Sequence, residues 1–156
     1  MCAMPGRLSS VLIEKVAEAA HRVVEVRLDR FGMTEAQYRL LALLYFCKIP
    51  LSQKEIASYL FRQQPGVSEL LMRAQAAGYV ERINVRSMEK VERFKLTPKG
   101  RQRLDQVWPD IVRDIRTLWL SCFSEEEIEQ LQGMLKRVRD RILETLEEEG
   151  IVCRTP

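Results

Sequence analysis

One short amphipathic segment, "QQPGVSELLMRAQAAG" (residues 63–78), is rich in side chains with clear hydrogen-bonding chemistry, among them Gln63, Gln64, Ser68, Glu69 and Arg73. Amides, hydroxyls and guanidinium groups donate hydrogen bonds to base edges and to phosphates. A carboxylate is repelled by phosphates, but it accepts a hydrogen bond from cytosine N4. These residue types therefore predict a surface that contacts nucleic acid. The alternative is that they are ordinary capping and surface residues.

The charge distribution favours the same interpretation. The net charge is only +3, but residues 52–100 contain nine basic and five acidic side chains, whereas residues 124–156 contain five basic and nine acidic ones. One part of the surface is therefore biased towards a polyanion. Arg86 and Lys90 lie in a polar connection within the basic segment, where each would add salt-dependent affinity for phosphates or for a narrow groove. The alternative is that both cations are simply solvated.

Other kinds of chemistry find little support. His21 is the single histidine, and the four cysteines are too far apart to form a metal-ligand or disulfide pattern: Cys2, Cys47, Cys122 and Cys153. We expect free thiols, with a redox-sensing thiol as the alternative. The sequence contains no phosphate-binding glycine loop, nucleophile turn or H-E-x-x-H pair. No enzyme activity, cofactor or metal site is therefore expected.

The composition is typical of a soluble globular protein, with 46% hydrophobic and 30% charged residues. A length of 156 residues favours a single domain, 1–156. The longest apolar run, residues 40–47, is too short to span a bilayer, and the first ten residues lack the apolar core of a secretion signal. We therefore expect a cytoplasmic protein without membrane contact.

The elements that must position these residues begin with helices. Apolar residues repeat at helical spacing over residues 8–30. Three pairs of residues are spaced as capping boxes and predict the starts of further helices: Thr34 with Gln37, Ser52 with Glu55, and Ser124 with Glu127.

The helix that begins after Ser52 is followed by a turn and by a second helix, with Pro65 in its first turn and Gly78 at its end. Such a pair matches a helix-turn-helix. On a helical wheel, the residues of the second helix that point inwards are Val67, Leu70, Leu71, Ala74 and Ala77. The outward positions are Pro65, Ser68, Glu69, Met72 and Ala76, with Arg73 and Gly66 at the margin.

The hydrophobic period then changes. Residues 79–83 and 91–96 alternate between two faces and predict a β-hairpin. Residues 97–123 predict a long helix with a kink or a break at Pro109. The predicted fold class is thus mostly α with a small β-hairpin. Apolar stripes on the terminal helices favour a homodimer formed by helix-to-helix contact, and a single-chain bundle is the alternative.

Three motifs follow one another along the chain: a T-x-x-Q-Y-x-L-L run at residues 34–41, "LSQKEIASYLFRQQPGVSELLMRAQAAGYVER" from Leu51, and "LTPKG" from Leu96. Their order and spacing resemble the MarR family of bacterial winged-helix transcription regulators. The resemblance implies a winged helix-turn-helix domain at about 34–100. It also implies N- and C-terminal dimerisation helices at about 8–30 and 101–147.

The resemblance further implies a function. A dimer of this kind would read palindromic double-stranded DNA, with recognition helices in successive major grooves and hairpin wings near the minor groove. It would act as a repressor that is released by a small aromatic or anionic effector. Aromatic and cationic side chains that would suit such an effector are Arg22, Tyr38, Trp108 and Arg113, although aromatic residues at this spacing also suit a core.

Two departures from the family pattern leave other functions open. The family often has a basic or other polar residue where this chain has Glu69, and an Asp where it has Met72. Many relatives also carry an Asp and Arg pair near the hairpin tip, where this chain has "RSMEK". One alternative is a winged-helix protein that has lost DNA binding and acts through protein contacts. Within the regulator class, the alternative is a thiol-based redox-sensing regulator, because the resemblance includes relatives that respond to oxidation.

Overall fold

The computed structural model describes residues 5–84 and 91–150, which form seven helices and three short strands. The helices are α1 (Pro5–Asp29), α2 (Glu35–Cys47), α3 (Gln53–Leu60), α4 (Gln64–Ala76), α5 (Pro98–Asp105), α6 (Trp108–Leu120) and α7 (Glu125–Glu148). The strands are β1 (Leu51–Ser52), β2 (Val80–Asn84) and β3 (Glu92–Leu96). This order confirms the predicted fold class, mostly α with a small hairpin.

Side-chain caps fix where the helices begin. All three predicted capping boxes are present, at the N-termini of α2, α3 and α7. The Thr97 side chain accepts a hydrogen bond from the Gly100 N–H at 3.0 Å and caps α5. Because each cap satisfies backbone donors that the helix itself leaves unpaired, the short helices begin at defined residues.

The predicted hairpin is confirmed, and it belongs to a three-stranded antiparallel sheet in the order β1-β3-β2. The third strand, β1, was not predicted from the sequence. Leu51 pairs with Phe94 and Ser52 with Arg93. A strand of two residues is too short to show an alternating pattern, so only the fold reveals it. β1 leads directly into α3 and therefore joins the helix-turn-helix to the hairpin.

The helix predicted over residues 97–123 is interrupted, as the position of Pro109 suggested. α5 ends at Asp105 and α6 begins at Trp108, with Pro109 in its first turn. Proline lacks a backbone N–H and its ring clashes with the preceding turn, so it starts a helix more readily than it continues one. Two arginine contacts fix the helices around this break: Arg27 with Asp114, and Arg103 with the Phe31 carbonyl.

One hydrophobic core joins the helix-turn-helix to the helices around it. Leu40 and Leu41 of α2, Ile56 of α3, Leu104 of α5 and Ile111 of α6 are almost completely buried in it. The N-terminal helix, α1, contributes to this core through its last turns only. This core holds α3 and α4 in a fixed orientation relative to α2 and α5.

Other apolar side chains remain exposed on the terminal helices. α7 has no buried residue, and its apolar stripe lies open at Met134, Leu135, Val138 and Ile142. The first half of α1 is similarly open at Val11, Leu12, Ile13 and Val16. The terminal stripes are thus not buried against each other within one chain. Among the described residues, no helix combines the length and apolar character that crossing a membrane requires.

Glu55 links the start of α3 to the sheet. Its carboxylate accepts a hydrogen bond from the Ser52 N–H at 2.6 Å and lies 3.1 Å from the Arg93 guanidinium. Arg93 also donates to the Pro50 carbonyl at 3.0 Å. Burial alone would raise the pKa of Glu55, but the hydrogen bonds with Ser52 and the nearby Arg93 charge hold it below the ordinary value.

We expect Glu55 to make stability depend on acid pH. Because its pKa is lower in the folded than in the unfolded chain, the stabilisation is complete above the unfolded pKa of about 4.3 and is lost as pH falls through the folded pKa. We therefore expect the free energy of unfolding, measured with urea at pH 7 and at pH 3, to fall less in Glu55→Gln than in the wild type.

The control for this experiment is Glu14→Gln, which removes an exposed carboxylate of α1 that forms no ion pair among the described residues. This variant should keep the wild-type dependence on pH. Identical acid-induced losses in Glu55→Gln and the wild type would contradict the role given to Glu55.

Candidate nucleic-acid interface

α3 and α4 are joined by a short turn with a defined backbone. Phe61 ends α3 in the left-handed region, with φ 50° and ψ 46°. The Arg62 N–H donates to the Ala57 carbonyl at 3.0 Å. The Gln53 side-chain amide donates to the Gln64 carbonyl at 3.1 Å and so ties the start of α3 to the start of α4. These contacts set the angle at which α4 leaves the core.

The predicted division of α4 into two faces is confirmed. Its buried residues are Val67, Leu70, Leu71 and Ala74, and Ala77 just beyond the helix is half-buried. The exposed residues include Pro65, Ser68, Glu69, Met72 and Ala76. Gly78 follows with φ 72°, the left-handed conformation expected at a helix end. α4 therefore presents one complete face to the surroundings.

The two glutamines before this face are exposed. Gln63 occupies the N-cap position of α4, but its side chain makes no capping hydrogen bond. Capping therefore does not account for Gln63. The amides of Gln63 and Gln64 lie at the start of α4, where a helix that enters a groove N-terminus first brings its side chains nearest to bases and phosphates.

Glu69 and Arg73 form an ion pair on the exposed face of α4. The Arg73 Nη2 atom lies 3.7 Å from Glu69 Oε1, and the two side chains are 62% and 66% exposed. One helical turn separates them, the usual spacing for such a pair. An exposed pair of this kind adds little to stability, about 0.3–0.5 kcal/mol. Both groups therefore remain available to a ligand.

The stem of the hairpin carries cations that carboxylates already neutralise. Three ion pairs cross or border the sheet: Arg82–Glu92, Lys95–Glu81 and Arg93–Glu55. The predicted contact residues Arg86 and Lys90 lie outside the described residues. Among the residues that the structure describes, the stem therefore adds little net positive charge.

Two further cations lie beside the helix-turn-helix and are not among the residues predicted from the sequence to form the site. Lys54 is exposed in the first turn of α3, and Arg62 is exposed in the turn before α4. Within the described ranges, neither forms an ion pair. Their positions at a helix start and a turn were a usable signal, because both places are common in phosphate contacts. They extend the candidate interface around the N-terminus of α4.

The structure brings together the two aromatic residues of the predicted effector site. The rings of Tyr38 and Trp108 are stacked with their centroids 6.2 Å apart, and burial raises the pKa of Tyr38. The two arginines instead form exposed ion pairs on their own helices: Arg22 with Glu25 at 2.9 Å, and Arg113 with Asp110 at 2.6 Å. The described contacts of both arginines are therefore with carboxylates of their own helices, and the structure brings together only the aromatic half of the predicted effector site.

The thiols differ in their surroundings. Cys47 is half-buried, and burial raises its pKa, with the Glu55 charge acting in the same direction against a hydrogen bond from Tyr59. A raised pKa keeps the thiol protonated and slows its oxidation. Cys122 is exposed. Cys2 and Cys153 lie outside the described residues.

Comparison with known proteins gives consistent matches. A model of the MarR family matches residues 31–87. An uncharacterized HTH-type transcriptional regulator of Bacillus cereus (strain ATCC 10987 / NRS 248) is 29% identical over 112 residues, which cover 71% of this chain and 73% of the relative. The HTH-type transcriptional regulator TtmR of Methylorubrum extorquens (strain PA1) is 37% identical over 100 residues, 62% of this chain and 51% of that protein.

The fold has a close counterpart among solved structures. The crystal structure of the S. aureus MepR–DNA complex superposes with a TM-score of 0.72 and 25% sequence identity, over 85% of this chain and 95% of that one. The match thus extends beyond the helix-turn-helix and hairpin to the terminal helices. The family match at residues 31–87 and this superposition show that the chain is similar to MarR family proteins and has their winged-helix fold.

Proposed function

We propose that this protein is a dimeric transcription regulator that binds palindromic double-stranded DNA in the cytoplasm. It represses transcription until a small aromatic or anionic effector releases it. The observation that carries the proposal is the exposed face of α4, which the buried face behind it holds in one orientation. A helix that is packed against the core on one side and exposes hydrogen-bonding side chains on the other suits insertion into a major groove.

Phosphate contacts would come from cations around α4. Lys54 and Arg62 are exposed and, among the described residues, free of ion pairs, so each can neutralise a phosphate without first breaking an internal contact. Arg86 and Lys90 would add contacts from the hairpin. Neutralised phosphates release counterions and give most of the sequence-independent affinity. Gln63, Gln64 and Ser68 would contact bases or phosphates.

Dimerisation would bury the apolar surface of the terminal helices. α6 and α7 enclose an open groove of about 540 Å³, whose apolar lining includes Trp119, Leu120, Ile128, Leu131 and Leu135. The exposed stripe of α7 continues along the same helix at Val138 and Ile142. Extended apolar surface of this kind is rare on monomeric proteins. A second copy of the chain would cover this apolar surface with its own α1, α6 and α7.

The names of similar proteins support a role in DNA binding and transcription regulation. The similar MepR structure is a complex with DNA. The relatives from Bacillus cereus and Methylorubrum extorquens are both named as transcriptional regulators. For the effector, the stacked Tyr38 and Trp108 rings offer an aromatic surface beside the break between α5 and α6. A ligand bound there would lie at the junction between the DNA-binding part and the terminal helices.

A second function is favoured by one observation. Glu69 stands on the exposed face of α4 and pairs with the cation nearest to it, so this face carries no net charge. A winged-helix protein that has lost DNA binding and acts through protein contacts would tolerate such a surface.

Selection from a pool of random duplexes separates these two functions. We expect the wild-type chain at low salt to enrich a palindrome whose half-sites are about 10 base pairs apart, because the two-fold axis of a dimer places two α4 helices one turn of DNA apart. Absence of any enriched sequence would overturn the proposed function and favour the second.

The cations give a quantitative prediction. Lys54→Ala and Arg62→Ala should each weaken binding to all duplexes and lower the slope of log affinity against log salt by about one, since each loses one phosphate contact. Arg86→Ala and Lys90→Ala carry the same expectation for the hairpin. The control is Lys136→Ala, which removes an exposed cation from α7. Unchanged slopes in Lys54→Ala and Arg62→Ala would show that these cations do not contact phosphates.

The dimer can be tested through Ile142, which is 53% exposed on the apolar stripe of α7. A carboxylate there would have to be buried in the interface without a partner, so Ile142→Asp should raise the dimer dissociation constant by at least about tenfold. Sedimentation equilibrium measures this constant directly. Gln130→Asp changes an exposed position off the stripe of the same helix and should leave the constant unchanged. Equal dissociation constants for both variants would refute this interface.

A further inference from the structure

Glu69 is the one acidic residue of α4, and it stands on the face that is proposed to enter the major groove. An ionised carboxylate beside phosphates is repelled, so this residue weakens binding to DNA of arbitrary sequence. It therefore favours a DNA site only if it accepts a hydrogen bond from a base in that site. The inference drawn from this residue rests on the proposed DNA-binding function.

Arg73 lies beside Glu69, so a base pair that binds Glu69 must also fit the Arg73 side chain. The two side chains lie one helical turn apart, with Arg73 Nη2 at 3.7 Å from Glu69 Oε1. Ser68 and Met72, which precede Glu69 and Arg73 in sequence, are exposed and carry no charge. α4 thus offers a hydrogen-bond acceptor and a multiple donor side by side, and no other charged group of α4 competes with them.

The major-groove edge of one base pair complements this arrangement. In a C·G pair, cytosine presents its N4 amino group as a donor, while guanine presents O6 and N7 as two acceptors. Carboxylates accept from cytosine N4, and arginine binds guanine O6 and N7 with two hydrogen bonds. An A·T pair places its single donor between two acceptors and adds a methyl group, so it gives arginine no comparable double acceptor.

We propose that Glu69 and Arg73 together select a C·G base pair in each half-site, with Glu69 on the cytosine and Arg73 on the guanine. The ion pair holds the two groups close together before DNA is bound, which reduces the side-chain ordering that binding requires. The acidic residue then lowers affinity for arbitrary DNA and preserves affinity for sites that contain this pair. Glu69 acts as a specificity-determining residue.

The experiment compares wild type and Glu69→Gln in two measurements on the full-length chain. First, each protein selects duplexes from the same random pool. Second, each binds a palindrome taken from the wild-type selection, with C·G or A·T at the selected position. We expect the wild type to prefer C·G by roughly tenfold at that position. Glu69→Gln should shift the preference towards A·T, because an amide pairs with adenine N6 and N7.

Binding to an unrelated duplex gives an independent readout. Glu69→Gln removes the charge that repels phosphates, so its affinity for this duplex should exceed that of the wild type. The control is Glu81→Gln, which removes a carboxylate from the hairpin stem, where it pairs with Lys95 at 3.0 Å. This variant should keep the wild-type base preference at every position. Thermal unfolding checks that both variants fold, as expected for substitutions at exposed side chains.

The outcomes separate this inference from the proposed function. If the wild type enriches a palindrome but Glu69→Gln keeps the same base preference at every position, Glu69 does not read DNA and the proposed function stands. An enriched site without a C·G base pair at any contacted position would likewise refute the role of Glu69 and Arg73. If the wild type enriches no sequence, the proposed function itself fails, and the inference fails with it.

Discussion

The packing of the inner face of α4 against the core is the interaction on which the candidate interface depends. Leu70 and Leu71 are nearly completely buried, and truncation of such a leucine typically costs about 2–5 kcal/mol. An exposed ion pair such as Glu69–Arg73 contributes about 0.3–0.5 kcal/mol by comparison. Packing therefore decides how α4 is oriented, and the polar residues on its other face remain free to serve recognition. The same reasoning explains why an acidic residue is tolerated on that face.

Electrostatics then decides which cations can reach DNA. The stem of the hairpin is rich in basic residues, but the described ones pair with carboxylates on neighbouring strands or on α3. Arg93, for example, joins Glu55 and the Pro50 carbonyl and so stabilises the contact between β3 and α3. Its charge serves the fold. A count of basic residues along the sequence therefore overstates the charge available to phosphates.

Much of the fold follows from local signals in the sequence. Capping residues such as Ser52 and Ser124 satisfy backbone donors at the positions where they occur, so they mark helix starts without any knowledge of the tertiary structure. The apolar residues of α4 define its inner face by spacing alone. Pro109 predicts the interruption that separates α5 from α6, because its effect is also local.

Features that depend on contacts distant in sequence were not predictable in the same way. β1 exists because Leu51 meets Phe94 across the fold, and a two-residue strand has no pattern of its own. Which cations are neutralised depends equally on pairs such as Lys95 with Glu81. The structure, and not the sequence, shows that Lys54 and Arg62 are exposed and, among the described residues, free of ion pairs. The predicted residues Arg22 and Arg113 lie on helices that supply each with a carboxylate of its own.

The proposed function requires the outer face of α4 to lie in the major groove of DNA. Methylation interference on a bound palindrome tests it most directly, because methylation of guanine N7 obstructs the major groove and methylation of adenine N3 obstructs the minor groove. We expect methylation of guanine N7 to abolish binding in two symmetric clusters of positions, about 10 base pairs apart. Interference confined to adenine N3, with every guanine N7 tolerant of methylation, would contradict it.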